Sequence, residues 1–413
     1  MSPTENPTLS EYRRREQSIT LAPVDRAETG EQPGGSETTD ELMTLNFGPH
    51  HPATHGVLRL LVTLQAEVVR DIKPIIGYVH TGIEKTAEDK SYWKVIPIVE
   101  RMDYLAYYFN AMAYIGAVET LVEVEVPKRA QYLRVIHLEL NRIASHLIWL
   151  GTSALDLGAV SIFLYCLRER EMILDLFECS SGARMHTRYF QVGGVIEDIP
   201  ASFAPKLREF LAIMPKRADE YGAILNSNEI VLQRLRGTCP LDAETLLGLG
   251  VTGPLLRAAG NPWDLRKASP YSSYEDFQFK IPVGTVGDNY DRFAVRLAEI
   301  YESVHIIEQA LDGLPEGPHI TGDRKVALIH HFKLVTEGFR VPPGEMYYPI
   351  ESPRGELGCF VRSDGSSKPA RVHMRDPSFV NLQALAPMAR GSYIADMIAT
   401  IAMLDPILGG IDR

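Results

Sequence analysis

The chain has 413 residues, of which 45% are hydrophobic and 23% charged, so a mostly disordered chain and a multi-span membrane protein are excluded. With 42 Lys and Arg against 53 Asp and Glu, the formal charge is −11 and no overall basic field exists for phosphate backbones. The four cysteines, Cys166, Cys179, Cys239 and Cys359, form no CxxC pair, so no zinc or iron-sulfur ligand spacing is present.

Residues 1–41 hold many Ser, Thr, Glu, Pro and Gly and no apolar h-region; the composition predicts a mobile N-terminal tail without a signal peptide. From Met43 the pattern turns β-like. Leu58, Leu60, Val62 and Leu64 share one face at period two, and 67–72 reads as a returning strand ended by Pro74. Residues 42–76 are therefore expected to form a small antiparallel sheet, with Gly48-Pro49-His50-His51-Pro52 in the loop between its first two strands.

A helical bundle is expected over 77–340. The spacing predicts helices over 102–124, from Pro127 onward with Leu133, Ile136, Leu140, Ile143 and Leu147 in one stripe, and over 160–180. Others fall at 203–225 (kinked or broken by Pro215), 242–250, 254–259 and 288–311, the last capped by Asp288 or Asn289. The apolar run 143–167 is too interrupted, by Gly151, Asp156 and Gly158, for a membrane span and reads as two core helices. Residues 341–413 read as a mixed segment packed on the bundle: strands within 346–361 and 370–374, then a helix over 381–404 broken near Pro387. The fold class is α+β, mainly α.

Four constellations carry possible chemistry. In the histidine loop His51 and His55 stand four apart; a metal site, a structural turn and a histidine held toward a pocket as a donor all fit, though Pro49 and Pro52 oppose a ligand-bearing helix. In Arg101-Met102-Asp103-Tyr104, Asp103 can cap a helix and Tyr104 is either half-buried packing or a positioned phenol. Asp156, in its apolar run, is either a helix cap or a buried carboxylate needing a histidine or arginine. Arg168-Glu169-Arg170-Glu171 reads as a solvated face or an ion-pair network, and Arg184 with His186 as ordinary polar residues or the lining of an anionic centre. No GxGxxG, P-loop or GxSxG fingerprint occurs.

Longer motifs go further. They include MTLNFGPHHPATHGVLRL (43–60), GYVHTGIEK (77–85), RMDYL (101–105) and ELNRIASHLIWLGTSALDLGA (139–159). RERE (168–171), GARMH (182–186), VGGV (192–195), ESPRGELG (351–358), DPSFVNLQ (376–383) and DPILGGIDR (405–413) follow in order. Through them the chain, from about Leu42 to Arg413, resembles the 49-kDa-type (D-type) subunit family of NADH-quinone oxidoreductase, respiratory complex I. That family shares ancestry with nickel-iron hydrogenase large subunits, which implies a hydrogenase-large-subunit-like architecture. Where hydrogenases carry metal-binding cysteines and a histidine near the C-terminus, this chain has Ile407, Gly410 and Arg413. Without thiolates a soft nickel-iron site cannot be held.

The resemblance implies the quinone-site subunit of a proton-translocating enzyme of the translocase class, not catalytic alone. His55 and Tyr104 would contact the quinone head group, and Asp156 would support the histidine. Arg184 and His186 would lie near a 4Fe-4S cluster held by a neighbouring subunit, the chain itself binding no metal and no cofactor. Implied partners are other complex I subunits: the terminal-cluster subunit, the C-type subunit and the membrane subunit where quinone enters, with no nucleic acid. The implied location is the cell membrane, peripheral on its cytoplasmic side. A related ferredoxin- or F420-linked membrane oxidoreductase and a non-redox scaffold are the alternatives. Two departures from the family stand out: His50 where relatives commonly carry Gln, and a shorter stretch between Pro318 and Phe332.

Overall fold

The computed structural model describes residues 42–54, 56–322 and 338–413. The first 41 residues, expected as a tail, lie outside them, as do His55 and most of the shortened stretch near Pro318.

Three strands open the described chain, β1 (Leu42–Phe47), β2 (Arg59–Gln65) and β3 (Val68–Ile75), paired antiparallel in that order. Leu60, Val62 and Leu64 are buried on one face of the central strand, as period-two alternation requires. Pro74 does not end β3; it lies within this edge strand opposite Leu60, an edge position being where a sheet tolerates proline.

The helices α1 (Ile83–Glu88) and α2 (Tyr92–Val99) lead into α3 (Tyr107–Val122), α4 (Lys128–Asp156) and α5 (Val160–Ser181). The stripe expected on α4 is fully buried, and so is almost every side chain of its middle, which places this helix inside the molecule and not at its surface. The helix expected from Met102 begins only at Tyr107, because 101–106 is a run of turns. Gly151 does not break α4. A methyl group there would meet the Phe163 backbone and ring at 3.2 Å, so the glycine lets α4 and α5 approach closely.

A short hairpin of β4 (Phe190–Gln191) and β5 (Gly194–Val195) precedes α6 (Phe203–Asn226), which runs through Pro215 unbroken. Then come α7 (Glu229–Leu235), α8 (Ala243–Gly248), α9 (Pro254–Ala258), α10 (Leu265–Ala268) and α11 (Asn289–Asp312). Asp288 caps α11 by accepting the Asp291 N–H at 2.8 Å. Helices α4, α5, α6 and α11 pack together as the central bundle.

The second three-stranded antiparallel sheet, β6 (Gly344–Ser352), β7 (Gly355–Ser363) and β8 (Arg371–Arg375), lies against α3. The C-terminal helix expected over 381–404 with a break near Pro387 is divided at other places, and four pieces close the chain: α12 (Pro377–Leu382), α13 (Leu385–Ala389), α14 (Ile394–Leu404) and α15 (Leu408–Asp412). Pro387 lies inside α13; the larger interruption is the turn at 390–393, where Gly391 is left-handed. The last helix is tied back to the segment after β3: the Asp412 carboxylate accepts the backbone N–H groups of Gly77 and Val79, both at 2.8 Å. The chain is α+β with helices dominant. Among the described residues no helix is long and apolar enough to cross a membrane.

Candidate functional site

Tyr104 sits in the turn between α2 and α3, and its neighbour Asp103 fixes that turn. One Asp103 carboxylate oxygen accepts the backbone N–H groups of Leu105 at 3.1 Å and Ala106 at 3.0 Å, just before the helix start. The other takes a charge-assisted hydrogen bond from Arg354 Nη1 at 2.7 Å. Arg354 also grips Asp405, through Nε to its backbone carbonyl at 3.0 Å and Nη2 to its carboxylate at 3.2 Å. Asp103, Arg354 and Asp405 are buried, whereas Tyr104 is 40% exposed. Its phenol has no hydrogen-bond partner among the described residues. Desolvation and the Asp103 charge raise its pKa, with Arg354 opposing, so the proton stays on the oxygen at neutral pH.

The histidine loop packs on the C-terminal helices. Its single 3₁₀ turn (Pro52–Thr54) touches α14, and Ala53 shares an apolar cluster with Leu404, Leu408 and Ile411. Thr54 Oγ1 donates to the His51 carbonyl at 2.8 Å, and His51 Nδ1 accepts the Ala53 N–H at 3.2 Å. The His51 ring lies 4.3 Å from the Phe47 ring. His50 is exposed. Of the two histidines four apart, the structure describes His51 and not His55.

Asp156, expected inside the core, is exposed, and it is the last residue of α4 and not a cap at a helix start. The apolar run around it misleads because α4 ends there and the next residues form a surface turn. Surrounding protein still raises its pKa by desolvation, and the charge of His51 pulls the other way, which puts this carboxylate within electrostatic reach of the histidine loop.

Arg184 and His186 come to the start of α3, one turn beyond Tyr104. The Tyr107 hydroxyl donates to the Arg184 carbonyl at 3.1 Å, and the rings of Tyr107 and His186 are 5.4 Å apart. The exposed Arg184 side chain is paired with Glu171 and Asp175. His186 is held with φ of 51°, and desolvation lowers its pKa, aided by Arg101. Behind it Glu100 is fully buried and accepts the Arg188 N–H at 3.1 Å; burial pushes its carboxyl up to about 7. The RERE run is half a solvated face: Arg168 and Glu171 are outside, while Glu169 and Arg170 are buried.

The C-terminal run does not fit a nickel-iron centre. Ile407 presents a hydrocarbon, and a side chain at Gly410 would collide with the Asp376 carboxylate, which fills that space. Among the described residues no cluster of three or more His, Cys, Asp or Glu is placed to hold a metal. Deeper in, Arg257 donates to Glu299 at 2.8 Å and Glu351 at 2.7 Å, and Arg266 bridges Asp264 at 2.7 Å and Glu139 at 3.3 Å. His146 Nε2 meets Glu299 at 2.9 Å. Sequence reasoning missed Arg354, Asp376, Asp405 and Glu100. The one signal for Asp376 was the Asp-Pro step, a helix cap followed by proline at the first helical position.

Residues 156–413 match the model of the family described as respiratory-chain NADH dehydrogenase, 49 Kd subunit. The chain is 55% identical to the D 2 subunit of NADH-quinone oxidoreductase from Chloroflexus aurantiacus, over 90% of this chain and 95% of that protein. It is 55% identical to the D 1 subunit of the Roseiflexus castenholzii enzyme, over 91% and 94% of the two chains. With the D subunit from Geotalea uraniireducens it shares 49% identity, over 90% and 99%.

Proposed function

The chain belongs to the family of the 49-kDa subunit of the respiratory NADH dehydrogenase, the D subunit of NADH-quinone oxidoreductase, and on that premise we propose that it forms the quinone site of its complex. The observation that carries this is Tyr104: a protonated, half-exposed, unpartnered phenol on a turn clamped by Asp103 and Arg354. Quinone reduction places negative charge on two carbonyl oxygens and consumes two protons. A phenol held at its rim can hydrogen-bond one oxygen and give it a proton. His55 serves the other oxygen, with Asp156 and His51 setting the charge of its loop. The 184–188 segment faces the partner subunit that holds the terminal 4Fe-4S cluster, so that electrons and protons arrive from different sides of the turn. The architecture is that of a hydrogenase large subunit whose metal pocket has been refilled by carboxylate and backbone.

As part of this complex the chain works with the other complex I subunits, peripheral on the cytoplasmic side of the membrane, its neighbours being the cluster-bearing subunit, the C-type subunit and the membrane subunit. Tyr104→Phe tests the assignment in the assembled complex. The expected result is loss of NADH–quinone turnover by about 100-fold or more, with NADH oxidation by ferricyanide unchanged. Full quinone turnover in that variant sinks the quinone-site reading.

A further inference from the structure

Directly behind the Tyr104 turn lie three buried carboxylates, Asp103, Asp376 and Asp405, each less than 5% exposed. Two of them share Arg354. Asp376 makes no ion pair among the described residues; its partner is Ser378, whose backbone N–H it accepts at 2.8 Å. Its far side is closed by the backbone at Gly410. The remaining charge facing the group is Arg296, which acts on Asp405 from α11 and whose Nε has no partner, and more weakly His146 from α4. Three carboxylates against two guanidiniums leave one negative charge in excess, inside protein, where an uncompensated anion is costly. One bound proton removes that cost.

Resting on the quinone-site reading above, we propose that the Asp103–Arg354–Asp405–Asp376 group holds an exchangeable proton and returns it to Tyr104 after each reduction. Two electrons from NADH, delivered through the complex, reduce the quinone; the Tyr104 O–H bond breaks and its proton forms one O–H bond of the quinol, the proton of the other coming from the His55 side. The tyrosinate left behind takes the proton of the carboxyl group, through water, and the carboxylate is reprotonated from solvent. The charges of Asp103 and Asp405 reach the Tyr104 phenol, so two of the three carboxylates lie within electrostatic range of the acceptor. Burial, with Asp103 beside it, pushes the Asp376 carboxyl up to about 6, a value from which a proton can be both held and released near neutrality. Asp376 and Asp405 act through Tyr104 and are positioning residues, not catalytic ones.

The experiment uses the assembled complex carrying Asp376→Asn or Asp405→Asn, with NADH and a short-chain ubiquinone. Asparagine keeps the shape and the acceptor for Ser378. The expected result is quinone reduction slowed about tenfold, a larger rate ratio between H2O and D2O, and loss of the pH-dependent limb near 6. Ferricyanide reduction stays at the wild-type rate. Wild-type rate, isotope ratio and pH profile in both variants overturn the proposal while leaving the quinone site standing. Tyr104→Phe run alongside separates the two, since full turnover there removes the site itself. Should either variant fail to assemble, infrared difference spectra of the wild-type complex decide: a protonated-carboxyl band that changes on turnover supports the proposal, and its absence overturns it.

Discussion

Around Arg257 and around Arg354 the chain buries the same residue types, yet the two clusters are paired differently. Near Arg257 every carboxylate touches a guanidinium: Glu139 has Arg142 and Arg266, Asp264 has Arg266, and Glu299 and Glu351 share Arg257. Burial alone would raise all four, but Arg266 and Arg257 hold Asp264 at about 2, and Glu139 and Glu299 are also held below the usual range, whereas at Glu351 burial, with Asp264 beside it, outweighs Arg257 and the carboxyl is raised. Near Arg354, Asp376 is left without a cation and rises to about 6. Buried charge by itself therefore does not mark a site here. Three of the four carboxylates near Arg257 are held ionised by their guanidiniums and serve the fold. Charge that is left over titrates within reach of neutrality, and it lies behind a phenol open to the surface.

The sharpest way to break that contrast is Arg257→Ala. It strands Glu299 and Glu351 in the core and is expected to cost about 3–5 kcal/mol, measured as denaturant unfolding of the isolated subunit or as failed assembly. A loss under about 1 kcal/mol would show that the Arg257 cluster is not structural. Gly410→Ala comes next, at about 3 kcal/mol, because the new methyl must displace the Asp376 carboxylate from a packed site. A thermal melt checks it.

Asp376→Asn acts in the opposite direction. The folded state holds the Asp376 proton more tightly than the unfolded chain does, so wild-type stability falls as pH rises from about 4 to about 6 and stays lower above that. The variant lacks this penalty and should be about 3 kcal/mol more stable at pH 8. The gain should vanish by pH 4 in paired melts; a gain independent of pH would mean that the carboxyl is not the titrating group. Smallest in stability is Tyr104→Phe, within about 0.5 kcal/mol, since a half-exposed hydroxyl without a partner contributes little to the fold. A melting shift of several degrees would move Tyr104 into the structural class.

Much of the helical frame was legible. The stripe from Leu133 to Leu147, Pro127 ahead of it and the cap at Asp288 are local signals, and each is where periodicity and capping put it. The errors arose where distant contacts override local pattern. Gly151 looks like a breaker until Phe163 is seen against it. The turn at 101–106 carries helix-forming residues but is held open by Arg354, 251 positions away from Asp103. Asp156 lies in an apolar run that ends at the surface. The Arg257 cluster was invisible for the same reason: its pairs join residues 42 and 94 positions apart, with no spacing to read. Motif resemblance supplied Tyr104 and Asp156, whereas Asp376 and Asp405 needed the fold.

The grip of Asp412 on Gly77 and Val79 spans 335 and 333 residues, so the last helix is tied to a segment far away along the chain. Gly409 lies against the Met102 carbonyl in the same corner. Such closures bring a long-loop entropy cost that local helices do not. Helices α4 and α5 pack as chain neighbours, whereas the Tyr104 turn meets α15 through Gly409 at the far end of the chain. A site at the Tyr104 turn therefore depends on contacts between distant parts of the described chain, through Arg354, Asp405 and Gly409, and not on the helical core alone.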